Sequence, residues 1–162
     1  MGALTLPPSG PVYLDTNGFI YSVERIEPYR SILEPVWLAA RENQFEIISS
    51  ERVWLETLIK PSREGDTLLE GLFRALFRAR EVRLIPATAA LWEQAARLRA
   101  SISGLKTPDA LHAATALAST ATLFITNDPG FRQVPGLPAI VLSDIDGPLV
   151  SGPKQSEDPS IK

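Results

Sequence analysis

The sequence predicts an α/β fold, a three-layer sandwich around a mostly parallel central sheet. Short apolar strands alternate with amphipathic helical stretches between residues 11 and 142, and two of the strands run directly into Asp-containing turns. No internal repeat breaks this order, and strand–helix alternation closes most simply into a parallel sheet covered by helices.

The first strand is the apolar run 11–15, which leaves through Asp15-Thr16-Asn17-Gly18, read as a turn. Residues 27–44 follow as a helix. Pro28 suits its start, and Ile32, Leu33, Val36, Trp37 and Ala40 recur at helical spacing. Pro35 inside this run predicts a kink or restart, because proline removes a donor and crowds the preceding turn. Residues 45–49 form the second strand. Ser50 is placed to cap a helix carrying Val53, Leu55, Glu56, Leu58 and Ile59, with Pro61 as its stop.

Residues 64–80 read as one helix with an apolar stripe of Leu68, Leu69, Leu72, Phe73, Leu76 and Phe77. Residues 82–85 are a strand, and Thr88 caps the helix that runs to Arg99. Thr107-Pro108-Asp109 combines a cap, a proline at the first position and an acid in the first turn, so a helix begins there and continues through an alanine-rich run to Ser119. Residues 123–126 are a strand ending in the turn Asn127-Asp128-Pro129-Gly130, and residues 139–142 supply the last strand. The expectation is one domain over residues 1–146. Residues 147–162, rich in Pro, Gly, Ser and charge, are expected to be a disordered tail.

A chain of 162 residues, 44% hydrophobic and 22% charged, is long enough for one well-packed core. With no cysteine, disulfides, thiolate zinc sites and cysteine nucleophiles are excluded. No apolar stretch reaches the ~18 residues of a membrane span, and residues 1–11 lack the pattern of a secretion signal, so a cytoplasmic location without a membrane partner is expected. The net charge of −3 gives no overall basic surface for nucleic acid, but clustered catalytic carboxylates contribute negatives that a cation offsets.

Four acids draw attention by position. Asp15 and Asp128 follow strands, where open parallel sheets gather their chemistry. Asp109 opens a helix, and Glu56 lies among apolar neighbours, where a carboxylate is costly unless paired or coordinating. Singly, each has an ordinary explanation: strand-end acids often cap helices, and an acid in a first helical turn stabilises by ~0.3–1 kcal/mol. Together they would repel one another and call for a cation, and oxygen-only ligation favours Mg2+ or Mn2+. The lone His112 stands one turn after Asp109, with ordinary packing as its expected role. No Gly-x-Ser-x-Gly elbow or glycine-rich phosphate loop is present.

Four segments resemble those of PIN-domain proteins, in particular VapC-type toxins of prokaryotic toxin–antitoxin pairs: Val12-Tyr13-Leu14-Asp15-Thr16-Asn17; residues 48–56, ending in Leu55-Glu56; residues 105–114 around Thr107-Pro108-Asp109; and Phe124-Ile125-Thr126-Asn127-Asp128. The likeness spans residues 12–142. It implies a metal-dependent ribonuclease whose metal site is Asp15, Glu56, Asp109 and Asp128. Asn17 and Thr126 would lend supporting hydrogen bonds, and Asp15 and Asp109 would lie nearest the ion. It also implies an RNA substrate, an antitoxin partner and a homodimer. Lys106, beside the Asp109 motif, is the expected RNA contact, with the arginines Arg74, Arg78, Arg80 and Arg83 as further candidates. Two alternatives stand beside this reading. One is a Mg2+-dependent phosphatase of another α/β fold, since Asp144-Ile145-Asp146 is similar to an Asp-x-Asp signature. The other is a non-catalytic RNA- or protein-binding module.

Overall fold

The computed structural model describes residues 5–147 and 150–151. In chain order the elements are β1 (Thr5–Leu6), β2 (Val12–Leu14), α1 (Thr16–Val23), α2 (Tyr29–Arg41), β3 (Ile47–Ser50), α3 (Val53–Glu64), α4 (Thr67–Phe77), β4 (Val82–Ile85), α5 (Ala89–Ser101), α6 (Thr107–Ala118), β5 (Leu123–Thr126), β6 (Ala139–Val141) and β7 (Val150–Ser151), with 3-10 turns at Pro129–Gln133 and Leu142–Asp144. β1 and β7 form a separate parallel pair. Of the expected tail, Gly147, Val150 and Ser151 are described; its remaining residues lie outside the described set.

The central sheet has five strands in the order β4-β3-β2-β5-β6, all parallel. Strand alternation sends Val12, Leu14, Ile47 and Ile125 to one face, where they pack with α1, α2 and α4 residues such as Phe19, Trp37, Phe73 and Phe77. Tyr13, Ile48 and Phe124 point to the other face and meet α5 and α6 through Ala95, Ala110, Ala113 and Ala114. The small residues of α6 let it lie close to α5 and the sheet. These are the three layers the sequence predicts.

The strand order also fixes where a site can form. From β2 the chain moves outward to β3 and β4, then crosses to β5 and β6 on the other side. The switch point therefore lies between the carboxyl ends of β2 and β5, where Asp15 and Asp128 leave the sheet.

Several local expectations are corrected. Asp15-Thr16-Asn17-Gly18 begins a helix instead of a turn: Asp15 is the cap of α1, and its carboxylate accepts from Thr16 N at 2.7 Å. Gly18 suits this position because a Cβ there would meet Leu14 Cδ1 at 2.2 Å, so its bare backbone lets α1 settle onto β2. α2 runs through Pro35 as one helix, and the carbonyl left without its helical donor belongs to exposed Ser31, where water can satisfy it. Pro61 does not stop α3 either. The helix continues to Glu64 and closes at left-handed Gly65, with Asp66 N donating to Pro61 O at 2.8 Å. Asp66 then caps α4 by accepting from Leu69 N, which divides the single helix expected over residues 64–80.

The apolar stripe of α4 is largely core. Phe73 and Phe77 are buried and Leu69 and Leu76 half-buried, leaving Leu68 and Leu72 exposed, as are Leu55 and Ile59 of α3.

Candidate active site

The switch point is organised around one hydroxyl. Thr126, fully buried at the end of β5, donates to Asp15 Oδ2 at 2.8 Å and accepts from the backbone N–H of Asp128 at 3.0 Å. The same side chain thus orients the acid at the end of β2 and fixes the turn that carries the acid after β5. Asp15 N donates to Ile125 O, joining the strand ends directly. Asp128 accepts from Gly130 N at 2.8 Å and so caps the 3-10 turn Pro129–Gln133. Beneath this layer Tyr13 stacks on Phe124, whose ring meets Phe131 at a tilt, with ring centroids 4.8 and 4.7 Å apart.

Glu56 sits on the first turn of α3, on the β3 side of the switch point. Its Oε2 accepts from the Thr16 hydroxyl and lies 3.1 Å from His112 Nε2, while Oε1 pairs with Arg52 one turn earlier. Burial works against its charge. The hydrogen bond and charge of His112, with Thr16 and Arg52 in support, outweigh that and hold the carboxyl down at about 2. His112 is buried on α6, with Nδ1 2.6 Å from the Tyr13 hydroxyl and Nε2 3.3 Å from Thr16 Oγ1 and 3.8 Å from Asp15 Oδ1. It is therefore part of the site's framework and more than packing, as are Tyr13, Thr16 and Arg52, which sequence reasoning passes over. One signal was available: His112 shares the Asp109 face of its helix.

Asp109 opens α6 across from Asp15 and Asp128. Burial first, then the charges of Asp128 and Asp15, raise its carboxyl above the ordinary range, with His112 and Lys106 acting in the opposite direction. It lines a pocket of about 180 Å3 together with Asp128, Lys106, Gly130, Phe131 and Gln133. Arg99 shapes the edge of this pocket, donating to Leu105 O at 2.9 Å and Thr107 Oγ1 at 2.8 Å, and so clamps the loop that presents exposed Lys106.

Asp15, Asp109 and Asp128 thus share one electrostatic neighbourhood, whereas Glu56 is held by its own donors to one side. Among the described residues, no three Asp, Glu or His groups converge into a ready-made metal cage. The donor chemistry nevertheless fits a hard divalent cation: oxygen ligands only, with mutual repulsion felt at Asp109.

Asn17 is exposed, and the described donors to Asp15 and Glu56 come from Thr16, Thr126, His112 and Arg52 instead. The basic cluster is largely occupied elsewhere. Arg74 pairs with Glu70, Arg83 with Glu46, and Arg80 with Asn43 and the carbonyl of Arg41. A larger groove of about 470 Å3 lies away from the acids, between α1, α2 and α4. Val23, Trp37, Leu72 and Leu76 line it, with Arg25 and Arg30 among its charged residues.

A family model described as PIN domain matches residues 12–137. Two solved structures share the fold. One is VapBC2 from Rickettsia felis bound to a DNA fragment from their promoter, at 22% identity and TM-score 0.63, covering 81% of this chain and 98% of the other. The second is a toxin–antitoxin complex from Klebsiella pneumoniae, at 21% identity and TM-score 0.56, covering 81% and 97%. No curated protein matches the chain.

Proposed function

The chain belongs to the PIN-domain family, and from that premise we propose that it is a divalent-metal-dependent endoribonuclease of the VapC type, the toxin of a toxin–antitoxin pair. The observation that carries this reading is the Thr126 hydroxyl tying Asp15 to the Asp128 turn at the switch point, with Asp109 facing both. Asp15, Asp109 and Asp128 are the residues that would hold Mg2+ or Mn2+, with Glu56 set beside them by Thr16 and His112. When bound, such a cation supplies Lewis-acid polarisation of the phosphoryl group and lowers the pKa of a bound water.

The chain's own groups do the positioning. Thr16 N and Thr126 Oγ1 fix the two oxygens of Asp15, so their remaining lone pairs point in set directions. Lys106 stands at the pocket edge, where its ammonium can take up a substrate phosphate without touching the acids' hydrogen bonds. The PIN-domain match over residues 12–137 weighs against a phosphatase of another fold, and Asp144 and Asp146 lie outside the matched residues.

Two partners belong to this proposal. An antitoxin segment suits the groove between α1, α2 and α4, with its apolar walls and arginines, and an antitoxin arginine reaching the acids would inhibit by pairing with them. A second copy of the chain suits the exposed leucines and isoleucine on α3 and α4, so light scattering at tens of micromolar is expected to give a dimer mass. A monomer would remove that element. The decisive test is cleavage of RNA by the purified chain with Mg2+ or Mn2+, abolished by EDTA and by Asp15→Asn in a folded protein. Undiminished cleavage in EDTA ends the metal assignment. Metal-independent RNA binding without cleavage favours the non-catalytic module.

A further inference from the structure

We propose that His112 is a positioning residue for Glu56, and that Tyr13 holds its imidazole in the tautomer that carries hydrogen on Nε2. The inference rests on the reading of Glu56 as part of the nuclease site. Its evidence is the buried chain of contacts that runs from the sheet to that carboxylate.

The chain begins at the end of β3. Ser50 N–H donates to the Tyr13 hydroxyl at 3.0 Å, which occupies one lone pair of that oxygen. The hydroxyl has one hydrogen to give. A phenol keeps that hydrogen at neutral pH, and His112 Nδ1 lies 2.6 Å away. In a neutral imidazole one nitrogen donates and the other accepts. Nδ1 takes the Tyr13 hydrogen, so the ring's own hydrogen is on Nε2. That atom lies 3.1 Å from Glu56 Oε2 and is its donor. The opposite tautomer would leave an unprotonated Nε2 facing the Glu56 carboxylate, a repulsive contact, and would force the Tyr13 hydrogen away from His112.

The ring has little freedom to choose otherwise. His112 is 2% exposed, Tyr13 is fully buried, and the two rings meet edge to face at 5.9 Å between centroids. Tyr13 is in turn stacked on Phe124. Glu56 receives Thr16 and His112 on one oxygen and Arg52 on the other, so its plane is set from three directions. Thr16 and Arg52 sit on α1 and at the start of α3. Only His112 comes from α6, the helix that carries Asp109. It therefore ties the position of Glu56 to that of the acid across the site.

The protein has one histidine, so its two ring nitrogens are the only imidazole signals in a 15N spectrum. In its neutral form the imidazole of the wild-type protein is expected to show Nδ1 as the unprotonated nitrogen and Nε2 as the protonated one. Tyr13→Phe, which removes one of the two contacts that favour this tautomer, should raise the share of the form with hydrogen on Nδ1. A protonated Nδ1 in the wild type would overturn the proposal. Kinetics give the second readout. Glutamine places an amide N–H near the position of Nε2, whereas asparagine reaches only that of Nδ1. His112→Gln is expected to keep cleavage within about threefold, and His112→Asn to lower kcat on the order of 10–100-fold with KM little changed. Equal losses in the two variants, or a loss confined to KM, would reject a positioning role. The spectrum needs no RNA, so a wild-type chain that cleaves nothing would refute the nuclease reading while leaving the tautomer result to stand or fall by itself.

Discussion

Replacing Thr126 with valine removes one hydroxyl and almost no volume, which isolates the bridge between Asp15 and Asp128. Thr126 is fully buried, and Asp15 is 7% exposed. A hydrogen bond to a charged group contributes ~1.5–3 kcal/mol, and loss of the donor to Asp15 should cost about 2 kcal/mol of that. The Asp128 N–H also loses its acceptor. Asp128 is only half-buried, so water can partly replace the hydroxyl, and ~1 kcal/mol is the appropriate addition. Together these give about 3 kcal/mol, or a melting temperature lower by ~6–12 °C for a chain of this size.

Thr115→Val is the control. Thr115 is equally buried, but its hydroxyl donates to the helical carbonyl of Leu111, which keeps its backbone partner when the hydroxyl is gone. Its cost should be about 1 kcal/mol or less. The assay is urea unfolding of the two variants beside wild type, at pH 7 and with EDTA present. Equal destabilisation would refute the argument that the Asp15–Thr126–Asp128 bridge is a special contact. So would a Thr126→Val loss below about 0.5 kcal/mol.

Three further outcomes are expected. Asp109 has a raised pKa, so its ionised form costs stability at neutral pH and the cost is relieved as acid protonates it. Metal-free Asp109→Asn should therefore melt above wild type at pH 7, lose that advantage by about pH 3, and cleave RNA poorly; thermal melts across pH decide this. Glu56 runs the other way. Its stabilisation is fully present above the ordinary value of 4.5 and is lost as the pH falls through about 2, so Glu56→Gln should be less stable than wild type at pH 7 and converge with it in strong acid. Lys106→Glu should weaken RNA binding and lower the salt slope by about one, with metal affinity nearly unchanged; titrations at several salt concentrations that match wild type would place the RNA path elsewhere.

The layers, and the placement of Asp15 and Asp128 at adjacent strand ends, are legible because both rest on strong, local signals. Val12-Tyr13-Leu14 and Phe124-Ile125 are apolar runs that only a doubly covered strand can bury, and Thr107-Pro108-Asp109 begins a helix by three independent preferences. What escaped depends on tertiary contact. α1 was hidden because Asn17 and Gly18 are poor helix formers, and the helix forms through the Asp15 cap and the seat that Gly18 finds on Leu14. Pro61 reads as a stop, yet the chain reaches its true closure at Gly65. His112 looked like one more core residue of an alanine-rich helix, because its partners Tyr13, Thr16 and Glu56 lie at least 56 positions away in sequence. The partners of Arg83 and Arg80, Glu46 and Asn43, are likewise out of reach of sequence reasoning, because they are brought across by the β3–β4 edge.

The seat of Gly18 on Leu14 has a wider consequence. α1 carries Thr16, which serves both Asp15 and Glu56, so the spacing of an acid at the end of β2 from one on α3 is set by how near one stretch of backbone comes to the sheet. That makes a residue with no reactive group a tuning point for the chemistry. A methyl group at position 18 would act as a wedge, lifting the helix and moving the Thr16 hydroxyl relative to both carboxylates while every acid kept its identity. Loss of activity in such a chain would leave no trace in an inventory of its charged residues. It would be written in the smallest side chain of the fold.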